Sequence, residues 1–130
     1  MRLMVVAARG GQLTRAAKLA ERSGAEIICA NGVSEATDLL SINDRVDIVL
    51  IDVALPIKDL EKKLKENRRA LPVIACGAST DVAIAQGAID AGAIEYLPTP
   101  ADIYDLAALI EALALDDDVI FYGATKASLH

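Results

Sequence analysis

The chain has 130 residues, 54% of them hydrophobic but only 3% aromatic, and a formal net charge of −6. That length builds one domain around an aliphatic core of Val, Ile, Leu and Ala, and the negative charge argues against direct binding to nucleic-acid phosphates. One His and two Cys without metal-ligand spacing argue against a zinc site, and no apolar run reaches the roughly 20 residues of a membrane span. Arg2–Ala8 reads as the first strand. It breaks at Arg9-Gly10-Gly11, and helix Leu13–Ser23 follows, with Leu13, Ala16, Ala17 and Ala20 on one face and Arg15, Lys18 and Arg22 on another.

Four more such pairs follow: strand Ala25–Ala30 with helix Ser34–Ile42, strand Val46–Asp52 with helix Ile57–Asn67, strand Leu71–Cys76 with helix Asp81–Ala91, and strand Ile94–Leu97 with helix Ala101–Leu115. The near-continuous apolarity of DIVLID and LPVIAC suits parallel strands buried on both faces. Ser34 and Ser79 are candidate N-caps, Gly24 and Gly92 stop the helices before them, and Pro100 suits a first helical turn. Five successive βα units imply an α/β fold with a doubly wound parallel sheet. The tail DDDVIFYGATKASLH, residues 116–130, differs in composition and reads as a linker. With no basic start or cleavage site at the N-terminus, the expected location is cytoplasmic.

A turn of glycines between a strand and a helix invites a phosphate-binding reading. The dinucleotide fingerprint positions hold Ala8, Gly10 and Leu13, so only the middle glycine is present, and IICAN ends at Asn31 without a ribose-binding carboxylate. A Walker loop would end Gly-Lys-Ser/Thr, where this chain has Gln12-Leu13-Thr14. No cofactor is expected, and Gly10 and Gly11 read as a tight turn before a closely packed helix.

The third strand ends in Asp52-Val-Ala-Leu-Pro56, a carboxylate at the carboxyl end of a central strand. This segment resembles the phosphoacceptor region of two-component receiver domains. ANGVSEATDLL, LPVIACGAS and above all AGAIEYLPTP are similar to further stretches of that family, in the right order, over residues 1 to about 115. The resemblance implies a CheY-like, flavodoxin-like (βα)5 fold with strand order 2-1-3-4-5. In that order Cys29 and Cys76 lie three strands apart, roughly 14 Å, beyond disulfide reach.

The departures from the family bear on function. The resemblance puts Ala7 and Ala8 where receivers carry the acidic pair that binds Mg²⁺ with the acceptor. It puts Gly77 at the hydroxyl position and Thr99 at the lysine position. Mg²⁺ is a hard cation held by carboxylates and water, so no metal site is expected, and Asp52 reads as a vestigial acceptor. Arg9 is the candidate charge partner of Asp52, its guanidinium replacing the metal's charge; the other reading is a solvated loop residue. Tyr96 falls at the family's switch-aromatic position.

RLMVVAARGGQLTRAAKLA, VDIVLIDVAL and LPVIACG further resemble the receiver of FlbD-type flagellar regulators, activators that work with the sigma-54 factor. There a receiver precedes an AAA+ ATPase module, and the tail FYGATKAS is weakly similar to the lead-in of such a module. The favoured function is a non-enzymatic regulatory domain acting through protein contacts, independently of phosphorylation. The alternative is a working phosphoacceptor with Asp52 as acceptor, while a small flavodoxin-like enzyme lacks any nucleophile–base pair. The expected partner is a regulatory protein or an attached AAA+ effector, with a homodimer as a further arrangement. No contact with nucleic acid or membrane is expected. The candidate interaction face comprises Asp90, Glu95, Tyr96, Tyr104 and Asp105, apolar and aromatic positions rimmed by carboxylates; basic helix one is the rival.

Overall fold

The computed structural model describes residues 1–115 except 44. The tail assigned to 116–130 lies outside them. Five strands, β1 (Arg2–Val6), β2 (Glu26–Ala30), β3 (Ile48–Asp52), β4 (Val73–Gly77) and β5 (Glu95–Pro98), alternate with helices α1 (Gln12–Arg22), α2 (Val33–Ile42), α3 (Ile57–Glu66), α4 (Val82–Asp90) and α5 (Ile103–Leu115). All pairings are parallel, and the strand order is β2-β1-β3-β4-β5. The expected fold is therefore the observed one.

Side chains on a strand alternate between the two faces of the sheet, and this divides the core in two. Leu3, Val5, Ile48, Leu50, Ile74 and Cys76 pack against α1 and α5. Met4, Val6, Val49, Ile51, Val73 and Ala75 pack against α2, α3 and α4. Ala16, Ala17 and Ala20 of α1 are fully buried. Their small side chains let α1 lie close to the sheet, as the alanine periodicity predicts, and also to α5.

Helix ends depart from the sequence reading in three places. Gly32, rather than Ser34, precedes α2, without a side-chain cap. Asp81, rather than Ser79, caps α4: its Oδ1 accepts the Ala83 N–H at 2.8 Å, while the Ser79 hydroxyl accepts the Asp81 N–H at 3.0 Å. Pro100 lies ahead of α5, which Asp102 starts by accepting the N–H groups of Tyr104 and Asp105. A carboxylate both fills the orphan donors and complements the positive helix end, so it wins over nearby hydroxyls or a proline. Gly92 ends α4 as expected, at φ +122°. Asp81→Ala should cost about 1 kcal/mol in urea unfolding, whereas Ser34→Ala should be neutral; equal losses would contradict these cap assignments.

Candidate functional site

β1 ends at Val6, two residues earlier than the alternation predicts. The Ala7 N–H still donates to Ala30 O at 3.0 Å, but the Ala8 carbonyl is taken by the Gly11 N–H at 3.1 Å and the Thr14 hydroxyl at 2.9 Å. These bonds bend the chain into a turn, and Gly10 takes φ +76° within it. Gly11 approaches so closely that an added Cβ would stand 3.2 Å from Ala8 O. The two glycines thus serve a tight turn, as expected.

Register brings the acceptor region together. Val6 pairs with Ile51, which sets Ala7 level with Asp52, and Asp52 pairs in turn with Cys76. Asp52, Cys76, Gly77, Ser79 and Thr99 line a single cleft of about 480 Å³ at the carboxyl edge of the sheet, walled also by Leu13, Val53, Pro100 and Leu106. Ala7 is buried beside it, and Ala8 is exposed on the adjoining turn. Gln12, Cys76 and Ser79 were not singled out from sequence as lining residues; strand alternation could have found Cys76, which shares the Asp52 side of the sheet.

Asp52 is half-buried. Its Oδ1 accepts the Ala54 N–H at 2.9 Å, and its backbone carbonyl accepts the Leu55 N–H. Arg9 is exposed and forms neither a hydrogen bond nor an ion pair among the described residues. The expected Arg9–Asp52 pair is therefore not made. The early end of β1 is the reason: Arg9 rides on the turn rather than on a strand beside Asp52. Among the described residues no group of three or more His, Cys, Asp or Glu is placed to hold a metal ion. A divalent cation at Asp52 would meet alanine side chains at positions 7 and 8, so the residues present do not fit Mg²⁺ as receivers hold it.

Two neighbouring groups are kept protonated. Burial, and secondarily the Asp52 carboxylate, push the Cys76 thiol up to about 12. Burial raises the Tyr96 phenol as well, with Cys76 and Asp52 adding to the effect. Cys76 is then a packed thiol and neither nucleophile nor soft ligand. Cys29 and Cys76 are both free, as the strand spacing predicts.

Gly77 and Tyr96 fit together. The Tyr96 hydroxyl donates to Ser79 O at 2.6 Å, which holds the ring across Gly77. A Cβ at Gly77 would lie 2.8 Å from Val53 Cγ1 and 3.0 Å from the Tyr96 hydroxyl oxygen. The place of a side chain at position 77 is thus filled by its neighbours.

On the α4–β5–α5 side, Asp90, Tyr104 and Asp105 are exposed, while Glu95 and Tyr96 are half-buried. Val82 (79% exposed), Ile94 (50%) and Tyr104 (72%) leave apolar surface there. Of α4 only Ala88 is buried. An apolar helix so little covered is uncommon on a surface.

A five-stranded parallel sheet in this order, with an Asp at the end of its central strand, is the arrangement that receivers have. The family model for the response regulator receiver domain matches residues 5–111, and the chain belongs to that family. It is 36% identical over 117 residues to the transcriptional regulatory protein FlbD of Caulobacter vibrioides, covering 90% of this chain and 26% of that protein. It is 34% identical over 93 residues to the DNA-binding transcriptional regulator NtrC of Escherichia coli, covering 68% of this chain and 20% of the other. The chain therefore spans about a quarter or less of the length of these relatives. Among solved structures, the response regulator RPA3017 in red light signaling of R. palustris superposes with a TM-score of 0.65 at 23% identity, over 87% of this chain and 91% of that one. That likeness concerns the fold.

Proposed function

We propose that this domain regulates an activator of the FlbD and NtrC kind through protein contacts, without phosphoryl transfer to Asp52. The carrying observation is the acceptor cleft: Asp52 stands in it without the acidic pair, hydroxyl or lysine of working receivers, with Ala7, Ala8, Gly77 and Thr99 in their places. Phosphoryl transfer depends on positioning and charge neutralisation. Two added negative charges beside Asp52 would find neither metal ligands nor a cationic side chain among the lining residues. The domain is then a non-catalytic interaction module in the cytoplasm, attached to or contacting an effector such as an AAA+ module with a role in flagellar gene transcription. Its interaction face is the α4–β5–α5 side, which carries Asp90, Glu95, Tyr96, Tyr104 and Asp105; a homodimer through the same side is compatible with this arrangement. The similarity to FlbD and the exposed apolar side chains of α4 support this reading.

Incubation with acetyl phosphate and Mg²⁺ followed by intact-mass spectrometry should show no phosphoryl adduct. Amide NMR titration with Mg²⁺ should show no saturable site near Asp52. An adduct that Asp52→Ala abolishes would establish the other reading, a working phosphoacceptor, which the open access to Asp52 favours.

A further inference from the structure

The cleft at Asp52 has a composition that points to a particular ligand chemistry. Asp52 is the one charged residue among those lining it. Its Oδ2 accepts no hydrogen bond among the described residues, and its Oδ1 accepts one. Apolar surface from Val53 and Pro100, over the buried Leu13 and Leu106, flanks this carboxylate, and the Ser79 and Thr99 hydroxyls also line the cleft. A volume of about 480 Å³ falls within the range of roughly 300–1,000 Å³ typical of ligand sites.

A small hard cation would gain nothing from apolar walls, and it wants several oxygen ligands where the lining offers one carboxylate. A long basic side chain matches both features. Its methylene stem lies along apolar surface while its head seeks an anion, and a guanidinium meets one carboxylate through two parallel N–H donors. We infer that the Asp52 cleft receives an arginine side chain of a protein partner, which supplies the positive charge that the chain's own residues do not. This rests on the reading of the domain as a module regulated by protein contact, and it adds to the α4–β5–α5 side a second point of contact, whose chemistry it names. The chain's net charge of −6 favours the approach of a basic partner.

The neighbouring groups agree with this assignment. The Cys76 thiol and the Tyr96 phenol stay neutral, so neither competes for the cation, and Tyr96 already spends its proton on Ser79 O. Arg9, the candidate charge partner within the chain, is on an exposed turn without a partner among the described residues.

The test is an amide NMR titration of the full chain with Nα-acetyl-arginine N-methylamide, with the norleucine analogue as the stem without its charge. Saturable shifts are expected at Ala54, whose N–H bonds Asp52 Oδ1, and at Gly77 and Thr99. They should be lost in Asp52→Asn and be about tenfold weaker in affinity with norleucine, the scale of a charge-assisted hydrogen bond. No saturable shift in the wild type, or equal binding by Asp52→Asn, would overturn the assignment. So would binding seen only in Arg9→Gln, which would mean that Arg9 itself occupies the cleft in solution. Saturable binding of Mg²⁺ at the same amides would instead overturn the metal-free reading of the domain. A failed arginine titration together with silent Mg²⁺ leaves that reading standing.

Discussion

Ile110→Ala is expected to destabilise the domain by about 2–5 kcal/mol, the cost of emptying a close-packed aliphatic site. Ile110 is fully buried between α1, α5 and the sheet. It shares its buried cluster with Ala16, Ala17 and Ala20 of α1, which have little side chain with which to collapse into the cavity. Tyr104→Ala, on the exposed side of the same helix, should change stability by no more than about 0.5 kcal/mol, because Tyr104 is 72% exposed. Urea unfolding separates the two: the midpoint should fall for Ile110→Ala at unchanged slope and stay in place for Tyr104→Ala. If Tyr104→Ala nevertheless weakens partner binding or self-association, its role lies in the interface. Similar losses for both variants would mean that α5 presents a different face to the sheet.

This face was readable in advance. A 3.6-residue period places Ile103, Leu106, Ala107 and Ile110 inward, and the last three are buried while Ile103 packs at the edge of the core. The same holds for α1 and for the continuous apolar strands, because burial on two faces leaves few residue types to choose from. Strand order came by a different route, from the resemblance in LIDVALP and AGAIEYLPTP, since periodicity cannot rank neighbours in a sheet. What the sequence did not disclose was decided by backbone bonds several residues away. β1 stops at Val6 because Ala8 O is captured by Gly11 and Thr14, and this carries Arg9 away from Asp52. The caps moved to Asp81 and Asp102, where a carboxylate outcompeted Ser79 and Pro100. In the cleft, Asp52, Gly77 and Thr99 could be listed from the resemblance to receivers. That Tyr96 and Val53 fill the space above Gly77 required coordinates, since a glycine in sequence shows only what is absent.

Gly77→Thr should therefore do more than restore a hydroxyl. Its Cβ would arrive 2.8 Å from Val53 Cγ1 and 3.0 Å from the Tyr96 hydroxyl oxygen, closer than carbon tolerates, so a neighbour must move. Relieving the 2.8 Å contact requires Val53, which is β-branched with restricted rotamers, to shift, and relieving the 3.0 Å contact requires the longer Tyr96 side chain to swing out and give up its 2.6 Å bond to Ser79 O. Overpacking of this kind costs about 1–3 kcal/mol, offset in part by the better strand propensity of Thr. NMR should report the change directly, as a loss of the Tyr96 ring contacts to Gly77. Coupling can be isolated in a cycle with Tyr96→Ala: the double variant should lose less than the sum of the singles, because one of the two clash partners is gone. An unmoved Tyr96 ring in Gly77→Thr, or strict additivity, would mean that position 77 and the aromatic are independent. Acetyl phosphate should still leave the variant unmodified, because a hydroxyl supplies no positive charge and Ala7, Ala8 and Thr99 remain around Asp52.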